Sequence, residues 1–586
     1  MKNIKRFFIV SKAFKVYLNK IEDVYIYNDF LKHIIKKENI RFKSIEYFKK
    51  NPDSKEILKN KSELVNDKYV NYTEVLGSAL NQIHTKNYKK EYWAQSLSLG
   101  LVKYIALCYD FFENIEASFD NKKHNCFLIS KENYIEINDF EHLRNTLESS
   151  IGREILFDIY IRKFHSNSVQ GEFNYYLNEN YKENSLISFL RKTKKNIKSI
   201  LYSFFKKKIK VGILGSYFGS QYKKKLFSLS DNKIGSIEIF PPKSKSNYDF
   251  SKRMVLQNYF TQNDRFDTFF IETIKYLFPK SHIEDYLNFE YHISSKLKAY
   301  SSLHSLISEN WIGHTFNSMI IAYLKKDGVI HYYNEHNCFF HPYIGNQVQQ
   351  AMKLCDFYLS MGWEDELNKK LIPIGSLYDF KIRRNNDFQF DILYVSGLLI
   401  PYPAIFTGAY GYVSDGVKIC VEFEKEFFKN LEPKTINSIY HRPYPNKSKI
   451  QYDFYDENFI MNKEYEFLKN TPINEDFKSI LSKSKVIVCN YVSTTYIQGI
   501  VSDIPTIVLL PKSYYLNDTY ATFFKDLIDC KIVFSDPTEC ANHLNTILDD
   551  PNKWWLSQKV RINRNKFLKK NYKSPEAALN FYENLV

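Results

Sequence analysis

Short β-rich runs alternate with helix-like segments from about residue 209 onward, and the alternation restarts near residue 390. Parallel strands need helical crossovers between them, so this pattern predicts parallel sheets with helices on both faces and an α/β fold class. The strand candidates are 209–214, 237–240, 328–333, the end of 352–361, 390–395, 438–441, 486–489, 506–510 and 532–534.

Residues before about 200 show apolar side chains at three- and four-residue spacing, which predicts a largely helical N-terminal part. The segment 371–377 would then connect two Rossmann-like domains that face each other across a cleft. Ligands of open α/β sheets bind beyond the carboxyl ends of the strands, so the cleft is the expected site. The predicted domains are 1–375 (helical over 1–200, Rossmann-like over 205–375) and 376–586.

The formal net charge of +16 favours an anionic partner, such as nucleic acid, an anionic membrane surface or a phosphorylated substrate. No zinc-finger or RNA-binding motif accompanies the charge, so nucleic acid is not expected. No run of about 18 apolar residues and no signal-peptide cleavage site is present, and the eight cysteines form no CxxC pair. We expect a cytoplasmic protein that contacts the inner face of the cytoplasmic membrane peripherally.

Glu335, His336 and His341 lie together in the loop after a predicted strand. Histidine and carboxylate side chains at a strand end can supply a general base or bind phosphate. The spacing matches no standard metal-ligand pattern, so no metal is expected. The alternative is a loop whose histidines are only solvated or hydrogen-bonded.

A second loop, His441-Arg442-Pro443-Tyr444-Pro445, also follows a predicted strand. Two prolines stiffen it, and an arginine can make bidentate contacts with phosphate oxygens. An ordinary proline-bounded turn with surface charges explains the same residues equally well.

Asn490, Ser493, Thr494 and Thr495 lie where a third strand gives way to a helix. Hydroxyl and backbone N–H groups at a helix N-terminus form a ready anion site. Simple N-capping by serine or threonine is the alternative.

Several longer segments resemble a family of transferases encoded in bacterial O-antigen and other surface-polysaccharide loci. The resemblance covers most of the chain, in the same order and spacing. Two positions depart from the family, which usually has His-Gly-Gly where this chain has His336-Asn337-Cys338, and Trp-Gly-Trp where it has Met361-Gly362-Trp363. The matching segments are 80–93, 279–286, 327–345, 356–363, 372–377, 441–445, 490–508 and 534–555.

The C-terminal pattern is similar to glycosyltransferases of the two-Rossmann-domain (GT-B) type, including Kdo and sialic-acid transferases and teichoic-acid glycerophosphate polymerases. The resemblance implies a nucleotide-sugar donor, with a mild preference for CMP-linked sugars, and a glycan or lipid-linked glycan acceptor. It implies no other cofactor. The implied donor-binding residues are His441, Arg442, Tyr444, Asn490, Ser493, Thr494 and Thr495.

On this interpretation His336 is the first candidate for the base that deprotonates the acceptor, and Glu335 is the second. His341 lies on the acceptor side or is structural. Two alternatives remain open: transfer of a CMP- or CDP-activated polyol phosphate on the same fold, and a non-catalytic glycan- or nucleotide-binding relative, which the altered His-Gly-Gly motif favours.

Overall fold

Three parallel sheets organise the chain in the computed structural model, which confirms the α/β class. The residues that the structure does not describe are 1–4, 19–21, 28–30, 33–34, 36–38, 49–52, 176–205, 310–313, 337–338, 340, 366, 386, 398–403, 405, 407–415, 443–467, 473–474, 493 and 512–514.

The N-terminal part contains a five-stranded sheet of order β3-β2-β1-β4-β5, together with the helices that the sequence predicted. The sheet itself was not predicted. Three of its strands are only four residues long, and two long helices separate the third strand from the fourth, so no β–α alternation is visible in the sequence. The strands are β1 (Arg6–Ile9), β2 (Asp23–Ile26), β3 (Ser44–Tyr47), β4 (His124–Ile129) and β5 (Val169–Phe173).

Two long helices, α2 and α3, form a hairpin that packs over this region. The side chain of Asn81 fixes the turn between them, because its Oδ1 accepts hydrogen bonds from Tyr88 N and Trp93 Nε1, both at 3.0 Å. No helix among the described residues is both long and apolar enough to cross a membrane. The helices are α1 (Phe14–Tyr17), α2 (Lys55–His84), α3 (Lys90–Ser118), α4 (Phe140–Leu147) and α5 (Ser150–Phe164).

The family-like segments 80–93 and 279–286 pack against each other. His84 Nε2 lies 2.9 Å from the carbonyl oxygen of His282, and the hydroxyls of Tyr92 and Tyr286 are 2.7 Å apart. These side chains are buried. The two segments therefore dock the helical hairpin on the following domain.

The second sheet has six parallel strands in the order β11-β10-β9-β8-β6-β7. Its strands are β6 (Val211–Leu214), β7 (Ile234–Ser236), β8 (Ser305–Ser308), β9 (Ile330–Asn334), β10 (Phe357–Ser360) and β11 (Leu371–Pro373). The helices are α6 (Ser220–Leu229), α7 (Phe250–Asn258), α8 (Arg265–Leu277), α9 (Tyr286–Leu297), α10 (Thr315–Lys326) and α11 (Val348–Leu354).

The third sheet also has six parallel strands, in the order β14-β13-β12-β15-β16-β17. Its strands are β12 (Phe390–Val395), β13 (Ile439–Arg442), β14 (Lys469–Asn470), β15 (Ser484–Cys489), β16 (Thr506–Leu509) and β17 (Val533–Phe534). The helices are α12 (Gly416–Lys429), α13 (Pro433–Asn437), α14 (Phe477–Ser482), α15 (Thr494–Val501), α16 (Lys525–Asp529), α17 (Pro537–Ile547), α18 (Pro551–Trp555) and α19 (Gln558–Asn571).

Loops from the carboxyl ends of the two six-stranded sheets meet. After β9, Ile344 N donates to the carbonyl of Tyr515, which follows β16, at 3.1 Å. Gly345 accepts from the backbone N–H of Phe406, which follows β12, at 3.2 Å. The carboxyl edges of the two sheets therefore face each other, as expected for two Rossmann-like domains across a cleft.

The last helix, α20 (Pro575–Glu583), leaves the third sheet and packs on the second. Its residues Leu579 and Tyr582 lie in one buried cluster with Val211 and Ile213 of β6. The domain limits of 1–375 and 376–586 stay a prediction. These limits assign α20 to 376–586, whereas the helix packs on the sheet of 1–375.

Candidate active site

Three loops that leave the second sheet at its carboxyl edge bring Tyr217, Glu309 and His336 together. Glu309 follows β8 directly, and His336 comes two residues after β9. The Nδ1 atom of His336 lies 3.5 Å from Glu309 Oε1, and the backbone N–H of Tyr217 donates to Glu309 Oε2 at 2.7 Å. The rings of Tyr217 and His336 are 4.8 Å apart. The parallel register of β6, β8 and β9 produces this grouping.

Glu309 and His336 differ in exposure. The side chain of Glu309 is 1% exposed, whereas that of His336 is 37% exposed. Burial raises the pKa of the Glu309 carboxyl, and the adjacent His336 ring and the Tyr217 N–H oppose that rise. The pair can therefore work as a reachable imidazole backed by a buried carboxyl, an arrangement that orients a general base and stabilises its protonated form.

Glu309 was not recognised in the sequence. It follows Ser305–Ser308, a short strand with serine at both ends that does not stand out as β-rich. Recognising that strand would have placed the carboxyl group at the same edge as His336.

Glu335, the second candidate base, is buried. Its Oε2 accepts hydrogen bonds from Met361 N at 2.9 Å and from Trp363 Nε1 at 2.7 Å. Burial raises the pKa of this carboxyl to about 8, against the effect of those two N–H groups. Glu335 is only 2% exposed, and its two hydrogen bonds anchor the segment after β10. Its catalytic role stays a prediction.

His341 completes this buried cluster. Its ring stacks on Trp363 with centroids 3.8 Å apart, and its Nδ1 lies 3.8 Å from Glu335 Oε1. Burial lowers the pKa of His341 well below its ordinary value, so the ring is neutral. The rings of Tyr520 and Phe523, from beyond β16, lie nearly perpendicular to it, at centroid distances of 4.9 and 5.3 Å. His341 is therefore a structural residue at the contact between the two six-stranded sheets.

The carboxyl edge of the third sheet is organised by Asn490, at the end of β15. Its Oδ1 accepts from Gly397 N at 2.8 Å, and its amide nitrogen donates to Glu424 of α12. Glu424 is buried, and burial raises its pKa to about 7 against hydrogen bonds from Asn490 and Tyr394. Asn490 thus ties the ends of β12 and β15 to a helix.

His441 and Arg442 lie on β13. His441 is 2% exposed, its Nε2 is 2.9 Å from Ser396 Oγ, and burial lowers its pKa to about 4. Arg442 is one of the predicted donor-binding residues. Its Nη1 donates to the carbonyl of Pro472 at 2.9 Å, on the β14 side of its strand, and β12 separates β13 from β15. Its donor-binding role stays a prediction.

Thr494 and Thr495 open α15, with Thr494 half-buried and Thr495 buried. Tyr444 and Ser493 lie outside the described residues. No group of three or more His, Cys, Asp or Glu side chains in the described part of the chain could hold a metal ion.

Solved structures similar to this chain include MurG of Acinetobacter baumannii, with a TM-score of 0.33, 14% identity, and coverage of 64% of this chain and 98% of that one. The wall teichoic acid polymerase TagF has a TM-score of 0.31, 13% identity, and coverage of 69% and 97%. The UDP-GlcNAc 2-epimerase of Methanocaldococcus jannaschii, in complex with UDP-GlcNAc and UDP, has a TM-score of 0.35, 11% identity, and coverage of 64% and 99%.

No curated protein matches the chain in sequence. A family model described as "LIC12162 family transferase" matches residues 6–582, nearly the whole length. The chain therefore belongs to the LIC12162 family of transferases.

Proposed function

We propose that this transferase moves a sugar from a nucleotide donor to a hydroxyl group of a bacterial surface-polysaccharide acceptor. The observation that carries the proposal is the His336–Glu309 pair, which lies at the carboxyl edge of the second sheet, where loops of this edge contact loops of the third sheet. A reachable imidazole there has the chemistry to activate an acceptor hydroxyl.

In the proposed step, His336 takes the proton of the acceptor hydroxyl on Nε2, the ring nitrogen directed away from Glu309. The acceptor oxygen forms a bond to the anomeric carbon of the donor, and the bond from that carbon to the phosphate oxygen breaks. The nucleotide leaves with the electron pair. Glu309 stabilises the imidazolium that forms, as a carboxyl group backing a catalytic histidine does.

The donor nucleotide is proposed to bind at the carboxyl edge of the third sheet. Asn490 and the first turn of α15, with Thr494 and Thr495, line the end of β15 there, and the buried His441 positions Ser396 at the end of β12. Backbone N–H groups at the start of α15 favour a phosphate. A CMP-linked ulosonic acid is the donor we propose to test first.

The acceptor is proposed to be lipid-linked, which places the reaction at the inner face of the cytoplasmic membrane. The net charge of +16 supports contact with an anionic surface.

The test compares wild type with His336→Ala and Glu309→Gln, using a panel of CMP-, UDP-, GDP- and CDP-linked donors. Turnover of His336→Ala should fall by about 10² to 10⁴-fold, the usual contribution of a general base, while calorimetric nucleotide affinity stays at the wild-type value. His304→Ala is the matched control. His304 is an exposed histidine directly before the first residue of β8, whereas Glu309 follows the last residue of that strand.

Wild-type turnover in His336→Ala would rule out the base. A phosphodiester product would replace sugar transfer by polyol-phosphate transfer. A wild type that neither transfers nor hydrolyses any donor would show a binding protein.

A further inference from the structure

A patch of exposed apolar side chains lies on α9 and on the segment after β7. Tyr291 is 74% exposed, Phe240 is 56% exposed and Leu287 is 49% exposed. Leu287 and Tyr291 are four residues apart, so they share one face of α9. Leaving three large apolar groups so open has no benefit for folding, and clusters of this kind mark interaction surfaces.

Hydrogen bonds hold the segment after β7 along α9, so that the patch is one surface. His292 Nε2 lies 3.0 Å from the carbonyl oxygen of Phe240. At the other end, Ser244 Oγ and Ser246 Oγ donate to Asp285, at 2.5 Å and 2.8 Å. The segment therefore runs antiparallel to α9, with Phe240 beside the middle of the helix and Ser246 beside its first residues.

Two exposed basic side chains lie on the segment after β7 that carries Phe240. Lys243 and Lys245 are exposed on the segment and form no ion pair with another described residue. The carboxyl groups just before and within α9 are occupied: Asp285, which precedes the helix, accepts from the two serines, and Glu290 pairs with Lys86 at 2.6 Å. Glu238 is the exposed carboxylate near Phe240. The surface is thus apolar at its centre with unpaired lysines beside it.

The position of this surface relates it to the candidate active site. β7 is an edge strand of the second sheet and runs parallel to β6, β8 and β9. Phe240 comes four residues after the carboxyl end of β7. Because α9 leads back to the start of β8, its first turn, with Leu287, lies toward the carboxyl edge, which also holds Glu309 and His336.

We propose that Phe240, Leu287 and Tyr291, with Lys243 and Lys245, form a docking face for an anionic lipid bilayer. The apolar side chains enter the boundary between headgroups and acyl chains, and the lysines contact anionic headgroups. This inference rests on the proposed function for its purpose, which is to bring the carboxyl edge of the second sheet to a lipid-linked acceptor. The binding itself does not require catalysis.

The test is flotation of the full chain with vesicles of phosphatidylcholine alone and of phosphatidylcholine with phosphatidylglycerol, at low and high salt. Wild type should float with the anionic vesicles only, and less at high salt. The triple variant Phe240→Ser/Leu287→Ser/Tyr291→Ser should lose about tenfold or more in partition. Lys243→Gln/Lys245→Gln should lose roughly fivefold per lysine.

Leu367→Ser is the matched control, since Leu367 is 95% exposed and follows β10, on the other side of the sheet from β7. It should float like wild type. Equal flotation of the triple variant and wild type overturns the proposal, and so does equal binding to neutral and anionic vesicles. If the wild type binds no vesicles and sediments as a dimer, and the triple variant sediments as a monomer, the occupant of this face is a second copy of the chain.

Hydrolysis of a free nucleotide sugar by the triple variant separates docking from catalysis. The expected result is wild-type hydrolysis with lost flotation. If the wild type floats with the vesicles but turns over no donor, the docking proposal stands and the proposed function fails.

Discussion

The buried carboxyl group of Glu335 makes a testable link between pH and stability. Its pKa is raised from the ordinary 4.5 to about 8, so the native protein keeps the proton at neutral pH while the unfolded chain releases it. This proton stabilises the native state fully below about pH 4.5. Its contribution to the free energy of unfolding declines as the pH rises toward 8. Glu335→Gln carries no proton to lose and should not show the decline.

The amide can occupy the same place as the protonated carboxyl group. Its oxygen can accept from Met361 N and Trp363 Nε1, and its NH₂ group can face the neutral ring of His341. One proton released corresponds to about 1.4 kcal/mol per pH unit. Between pH 5 and pH 7 the free energy of unfolding of Glu335→Gln should therefore rise by on the order of 2–3 kcal/mol relative to that of the wild type. Titration of His341 is common to both proteins and cancels.

Hydrogen exchange at the Met361 amide measures this directly, because that N–H group donates to the carboxyl group in question. Exchange followed by mass spectrometry at pH 5, 6, 7 and 8, corrected for intrinsic rates, gives the opening free energy of both proteins. Glu364→Gln is the control, since Glu364 is 64% exposed in the same loop. A difference between Glu335→Gln and wild type that does not change with pH would refute the reasoning.

Three further outcomes are expected. Gly362→Ala should destabilise the protein by about 1–3 kcal/mol or more in urea unfolding, because Gly362 has a φ of +136° and a Cβ there would lie 2.5 Å from Lys573 N; an unchanged midpoint would contradict this. Arg442→Ala should cost about 1 kcal/mol through the lost bond to the Pro472 carbonyl, and calorimetry should show unchanged nucleotide affinity; weaker binding would place Arg442 in the proposed donor site. Cys108, Cys126, Cys355, Cys489, Cys530 and Cys540 are buried, so these six should react with a thiol reagent only after unfolding, as peptide mapping can check.

Much of the architecture was predictable because the two six-stranded sheets follow a regular alternation. The strand expected at 390–395 is found at Phe390–Val395, and Asp536 caps α17 as its sequence indicates, accepting from Glu539 N at 2.8 Å. The five-stranded sheet was missed because its first three strands are only four residues long and its pairings join residues far apart in sequence, such as Arg6 and His124.

The position of the candidate site could be predicted from the sequence better than the contacts of its side chains. Strand order brings His336 to a sheet edge, but its partner Glu309 lies 27 residues earlier, after a strand that the sequence hardly marks. The roles of Glu335 and Arg442 depend on what their side chains contact. Glu335 is held by an indole 28 residues later and Arg442 by a backbone carbonyl 30 residues later, and neither contact leaves a local pattern.

The return of α20 to the second sheet has a consequence for the order of events during synthesis. Tyr582 donates its hydroxyl proton to Asn334 Oδ1 at 2.8 Å, and Asn334 ends the strand that leads to His336. A growing chain on the ribosome cannot make this contact until residue 582 has emerged, long after β9 itself. Nascent chains and truncated fragments that stop before α20 should therefore hold the His336 loop incompletely, and activity should appear only after the third sheet has been made.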